Sequence, residues 1–159
     1  LPAWLWPLLD PHIDAAEAAA LLERAPLDLR INRARADGID LPEGAPLPAP
    51  LHGLRLPADT SLAGHPAMLG GAIEVQDAGS QWIAANCAVR PGMTVIDLCA
   101  GAGGKTLSLA AAMAGEGRLV ACDTDRRRLS ELPPRAARAG AAVETRLLDP
   151  GREAAALAD

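Results

Sequence analysis

The stretch Val95-Ile96-Asp97-Leu98-Cys99-Ala100-Gly101-Ala102-Gly103-Gly104-Lys105-Thr106 gathers the residue types best suited to hold a reactive ligand, and its Lys105 is the only lysine among 15 basic residues. A compact ammonium directly after a glycine-rich turn differs most there from a planar guanidinium. Backbone N–H groups of such a turn, with the positive end of a following helix, suit an anionic or polar ligand. Two acids complete the set: Asp123, 22 residues beyond Gly101, and Asp149. A spacing of about 20 residues is where a βαβ unit places a ribose-binding carboxylate.

Three nucleotide-type ligands compete for this turn. A phosphate-binding P-loop, G-x-x-x-x-G-K-[ST], accounts for Gly104-Lys105-Thr106 but requires glycine where Cys99 stands. A dinucleotide fingerprint, G-x-G-x-x-G, accounts for Gly101 and Gly103 but meets Thr106 at its third glycine. S-adenosylmethionine needs close backbone approach without a pyrophosphate cradle, and an acid for its ribose hydroxyls. The plain alternative is a chain turn with Asp123 as a helix cap.

These residues need elements to position them. Thr94 to Leu98 reads as a short buried strand, Lys105 to Met113 as a helix ended by Gly115 to Gly117, and Arg118 to Cys122 as a second strand. Thr124 or Asp125 caps a further helix that must break or kink near Pro133-Pro134. Val143 to Leu148 reads as a third strand ending at Asp149. Alternating strands and helices predict a parallel sheet with ligands beyond the strands' carboxyl ends. Upstream, Ser80 to Ala88 reads as a helix, Leu27 to Ile31 as a half-buried strand, and Gly53 to Leu56 as another, within a Pro- and Gly-rich stretch from Ala36 to Pro57. Residues 1–25 read as helical, with Asp14 capping a helix from Ala15 to Arg24 whose Leu21 and Leu22 are buried. The apolar start, Leu1 to Trp6, is expected to pack on something.

With 159 residues the chain has the length of about one domain. No Phe or Tyr is present, so the core falls to Leu, Val, Ile, Ala and three Trp. A net charge of −5 does not advertise a nucleic-acid binder as a whole. Arg30, Arg33 and Arg35 cluster, as do Arg126, Arg127, Arg128, Arg135 and Arg138. Each cluster reads as a solvated face, with a local basic surface as the alternative. Cys87, Cys99 and Cys122 match neither a zinc nor a disulfide spacing and read as small buried hydrophobes. No metal, no membrane segment and a cytoplasmic location are the expectation; the oligomeric state is not legible.

Asp97 to Thr106 closely resembles the signature loop of RNA cytosine-5 methyltransferases of the Sun/Fmu ribosomal RNA type. Glu74-Val75-Gln76-Asp77-Ala78-Gly79-Ser80-Gln81 looks like that family's lead-in motif. Ala121-Cys122-Asp123 with Arg128-Leu129 resembles its second cofactor motif, and Leu29-Arg30-Ile31-Asn32 the strand opening its small RNA-binding subdomain. The resemblance implies an α/β chain: a Rossmann-like S-adenosylmethionine-dependent methyltransferase fold (a partial parallel sheet) preceded by a small, shortened α/β subdomain of RNA-binding type. The layout would be a helical segment over 1–25, the small subdomain over 26–73, and the first half of the methyltransferase domain over 74–159. Cys99, Ala100, Gly101, Ala102, Gly103, Gly104 and Lys105 would line the methionine and ribose of S-adenosyl-L-methionine, Asp123 would bind the ribose, and Asp149 would sit by the adenine. RNA, ribosomal RNA above all, would be the partner, and 5-methylcytosine the product. In that chemistry a thiolate attacks the 6-carbon of an unstacked cytosine and makes the 5-carbon nucleophilic.

The family places its two working cysteines on later strands, so no catalytic residue is expected in this chain. It reads as part of a longer protein and as inactive alone. Departures are Ala102 where the family often has proline, Pro133-Pro134 in a helix more often continuous, and a short segment from Ala36 to Leu54. The competing functions are an NAD-type dinucleotide-binding oxidoreductase and a non-catalytic RNA-binding module.

Overall fold

In the computed structural model, residues 2–9 and 12–157 are described; Leu1 and the end of the expected third region, 158–159, lie outside them. The first elements are α1 (Trp6–Leu9) and α2 (Ala15–Ala20). Asp14 and Glu17 form a reciprocal capping box, each side chain accepting the other's backbone N–H, at 2.8 and 2.9 Å. The helix does not reach Arg24. It tightens after Ala20, the N–H of Leu22 donating to Ala19, and Leu21 and Leu22 swing off the Ala18 face to 71% and 67% exposure. Trp4 is also exposed.

Four strands then build an antiparallel sheet of order β2-β3-β1-β4: β1 (Leu27–Ile31), β2 (Ala45–Pro46), β3 (Gly53–Leu56) and β4 (Ile73–Val75), with α3 (Pro66–Leu69) before β4. β1 is central, Leu29 opposing Leu54 on one side and Val75 on the other. Leu29, Leu56, Ala67 and Ile73 make its core. β1 is not half-solvated as its alternation predicts: Asp28 and Arg30 are buried too. Each has a partner, because the face that would meet water meets other protein groups instead. Asp28 takes a two-pronged pair from Arg55 at 2.7 and 2.9 Å, and Arg30 donates to Gln76. The expected border between residues 73 and 74 falls inside β4, which pairs with β1.

The second sheet is parallel, of order β5-β6-β7: β5 (Thr94–Asp97), β6 (Arg118–Asp123) and β7 (Glu144–Leu147). α4 (Ala78–Asn86) leads in, capped by Asp77, whose carboxylate accepts the Ser80 N–H at 2.8 Å. α5 (Gly104–Met113) joins β5 to β6; α6 (Arg126–Leu129) and α7 (Leu132–Ala139) join β6 to β7; α8 (Glu153–Ala156) follows. The prolines do not break a running helix. Asp125 caps α6, which stops at Ser130, and Pro133 and Pro134 stand in the first turn of α7, where a missing N–H costs nothing. β6 is buried throughout all but its first residue. β5 is not buried as expected: it pairs with β6 alone among the described strands, and Ile96 and Leu98 are 47% and 53% exposed.

Leu132 is fully buried in the cluster formed with Leu107, Ala121, Leu129 and Ala136, and it lies directly beneath the glycine turn. Leu132→Ala is expected to lower stability by about 2–5 kcal/mol, as emptied leucine sites do, read as the shift of a urea or thermal unfolding curve.

Candidate functional site

β5 delivers Asp97 to the base of the turn and α5 starts at Gly104, so Leu98 to Gly103 must reverse direction over the sheet's carboxyl edge. Two glycines make that reversal feasible. Gly101 and Gly103 have φ of +53° and +89°. A Cβ at Gly101 would strike the Arg128 guanidinium, and one at Gly103 would strike Leu132.

The turn is held from four directions. Ala100 donates its N–H to Cys122 O at 2.9 Å, tying the loop to β6. Gly101 donates its N–H to Asp123 Oδ2 at 2.7 Å, while Asp125 donates to Oδ1 at 2.8 Å. Below, Asp97 accepts the Cys99 N–H and, at 2.7 Å, the hydroxyl of fully buried Thr106. From α7, Arg135 donates to Ala102 O at 2.6 Å and with its other terminal nitrogen to Glu74 Oε2 at 2.8 Å. Glu74 also receives Arg138 at 2.6 Å. Gln76 Nε2 reaches Gly104 O at 3.3 Å, and its Oε1 accepts from both Arg30 and Ser108.

Asp123 is 8% exposed and ionised. The N–H of Asp125, then that of Gly101 and the charge of Arg128, hold its carboxyl below the ordinary value against the opposing pull of burial. A carboxylate has about four lone-pair sites, so acceptor capacity remains on both oxygens. Lys105 stands exposed at the start of α5, near enough for its charge to favour the ionised Asp77. Asp149 is exposed beyond β7, where the Leu148 N–H binds Asp123 O at 2.9 Å. The sequence-predicted residues thus share one end of the sheet.

Two of the cysteines depart from expectation. Cys87 and Cys99 are exposed, because Cys87 ends an outer helix and Cys99 sits on the loop's open side; Cys122 is buried, and burial pushes its thiol up. Local reading missed the roles of Glu74, Gln76, Asp97, Arg128 and Arg135, although all but Arg135 lie within the quoted motifs. Among the described residues no helix is long and apolar enough to cross a membrane, and no group of three His, Cys, Asp or Glu side chains is placed to hold a metal ion.

The parallel sheet, with a glycine turn after its first strand and an acid closing its second, is a partial Rossmann-like α/β arrangement, the fold class of S-adenosylmethionine-dependent methyltransferases. A methyltransferase homolog protein from Pyrococcus horikoshii superposes with a TM-score of 0.66 at 23% identity, over 93% of this chain and 56% of that one. Residues 84–153 match the family described as 16S rRNA methyltransferase RsmB/F. The probable ribosomal RNA small subunit methyltransferase B of Synechocystis sp. is 32% identical over 147 residues, 82% of this chain and 32% of the relative. The 28S rRNA (cytosine-C(5))-methyltransferase of Mus musculus is 39% identical over 87 residues, 55% of this chain and 19% of the relative. The chain therefore spans a third or less of the length of these curated relatives.

Proposed function

We propose that this chain carries the S-adenosyl-L-methionine site of an RNA cytosine-5 methyltransferase acting on ribosomal RNA in the cytoplasm. The bond from the Gly101 N–H to Asp123 supports this reading most directly, because it fastens the glycine turn to the acid that a ribose requires. The remaining lone pairs of ionised Asp123 suit two ribose hydroxyl donors. Cys99 to Lys105 would face the methionine and ribose, with the Lys105 ammonium and the N-terminus of α5 offering positive charge to a carboxylate. Asp149 would flank the adenine from the third strand.

When bound, the cofactor supplies an electrophilic methyl group on a sulfonium. The residues of this chain bind and orient; none is assigned a bond-making role. Cys99 belongs to the cofactor turn, so it is not the nucleophile. The 159 residues alone are expected to form no 5-methylcytosine. The small antiparallel sheet would serve the RNA.

Calorimetric titration with S-adenosylhomocysteine tests the site without requiring turnover. One-to-one binding that NADH does not displace is expected. Binding of NADH that S-adenosylhomocysteine cannot displace would overturn the reading in favour of a dinucleotide enzyme.

A further inference from the structure

A cleft of about 360 Å³ opens between β1 and the helices α4 and α5, apart from the glycine turn. That volume lies in the range of small-molecule sites, and it is far larger than a lone phosphate needs. Two buried polar ends line it with bonding capacity to spare. Arg30, 7% exposed, donates Nε to Gln76 Oε1 at 3.1 Å, and among the described residues its two terminal nitrogens take no hydrogen bond. Gln81, 4% exposed, donates Nε2 to Gln76 O at 2.8 Å, and its Oε1 likewise accepts none among the described residues.

Charge is unbalanced here as well. Arg30, Arg135 and Arg138 surround a single carboxylate, Glu74, and its oxygens already serve Arg135 and Arg138. The Arg30 fork therefore opens into the cleft with donors to spare, and a guanidinium fork matches phosphate oxygens two at a time. Exposed Arg33 and His52 line the same cleft and add donors at its rim. The opposite wall carries Ala85 and Ala112, which leave a smooth apolar surface for a base or sugar.

We propose that this cleft seats one nucleotide of an RNA strand, its phosphate on the Arg30 fork and its base against the alanine wall within reach of Gln81. The assignment rests on the RNA reading above but concerns a cleft that the glycine turn does not line.

Anisotropy of a short labelled single-stranded RNA tests it on the wild type, Arg30→Lys and Ala112→Glu, with S-adenosylhomocysteine affinity measured on the same samples. Lysine keeps the charge and loses the fork. Ala112 is exposed on α5, so the glutamate adds repulsion at the wall while leaving the core intact should Arg30→Lys fail to fold. Each variant is expected to bind RNA about tenfold more weakly, Ala112→Glu with cofactor affinity unchanged, and cytidine monophosphate should compete better than inorganic phosphate. Equal RNA binding by wild type and both variants would overturn the cleft and leave the RNA reading standing. No RNA binding by the wild type would overturn both. Competition by inorganic phosphate as strong as by the nucleotide would reduce the cleft to a free-anion site and overturn the nucleotide seat.

Discussion

Asp123→Ala is expected to weaken S-adenosylhomocysteine binding by at least about a hundredfold, a loss of some 2.7 kcal/mol. Two separate losses combine. The ribose diol would lose its carboxylate acceptor, and a hydrogen bond to a charged group is worth about 1.5–3 kcal/mol. The N–H groups of Gly101 and Asp125, bound to that carboxylate at 2.7 and 2.8 Å, would lose their acceptor as well. Asp123 is 8% exposed, so water reaches them only if the turn opens. An open turn is no longer shaped for the ligand.

Asp123→Asn sharpens the test. The amide keeps the volume but turns one acceptor oxygen into a donor, so it faces either Gly101 N–H or Asp125 N–H wrongly. It is expected to bind nearly as poorly as alanine. Thermal unfolding gives a second reading: ligand at about 100 times its Kd stabilises the folded state by ~2.7 kcal/mol, and the variants should gain almost nothing. Affinity close to wild type in both variants would remove Asp123 from the site.

The joining of turn and acid was legible because it is local. Strand, glycine turn and helix occupy one short run, and the spacing from Gly101 to Asp123 spans a single crossover. β1 and β3 also lie where their residue patterns place them, Leu27–Ile31 and Gly53–Leu56. Pattern reading failed where the outcome depends on what an element meets. Leu21 and Leu22 have the spacing of a buried helix face, but the chain offers that turn no surface. Ile96 and Leu98 read as core, yet one edge of β5 has no neighbour among the described strands. Pro133-Pro134 was correctly read as an interruption but displaced, since a helix accepts proline in its first turn as readily as it refuses it inside.

The arginine clusters show the same limit at the site. Arg135 and Arg138 look like a solvated stripe on α7, and their partner lies 61 and 64 residues upstream. No local period reports such a pair. The lead-in motif marked Glu74 and Gln76 without revealing that they carry the small sheet's hold on the glycine turn.

Glu74→Ala is the second large effect expected, a loss of about 3 kcal/mol in folding stability. Breaking a buried ion pair by deleting one partner costs roughly 3–5 kcal/mol. Glu74 has a side-chain exposure of only 5%, but Arg135 and Arg138 keep 24% and 34%, so water can partly restore them and the lower bound applies. Its titration gives the loss a pH signature. Burial pushes the Glu74 carboxyl up, but the hydrogen bonds and charges of Arg135 and Arg138 outweigh it and leave the group below its ordinary value. A carboxyl depressed by folding contributes stability above its unfolded value of about 4.3, and that contribution disappears as pH falls through the folded value. Wild-type stability should therefore drop below about pH 4 more steeply than that of Glu74→Gln.

The same substitution should reach the cofactor. Arg135 bonds Glu74 and the Ala102 carbonyl together, so without Glu74 the turn keeps a donor whose anchor is gone. S-adenosylhomocysteine affinity is expected to fall about tenfold, the equivalent of ~1.4 kcal/mol. Asp28→Asn supplies the control. Asp28 is equally buried on the neighbouring strand, and its carboxylate serves Arg55 and the Ala78 N–H, with no bond to the turn. It should lose stability while binding the ligand normally. If Asp28→Asn weakened binding as much as Glu74→Ala, general loosening of the small sheet would explain both, and Arg135 would not be a lever on the turn.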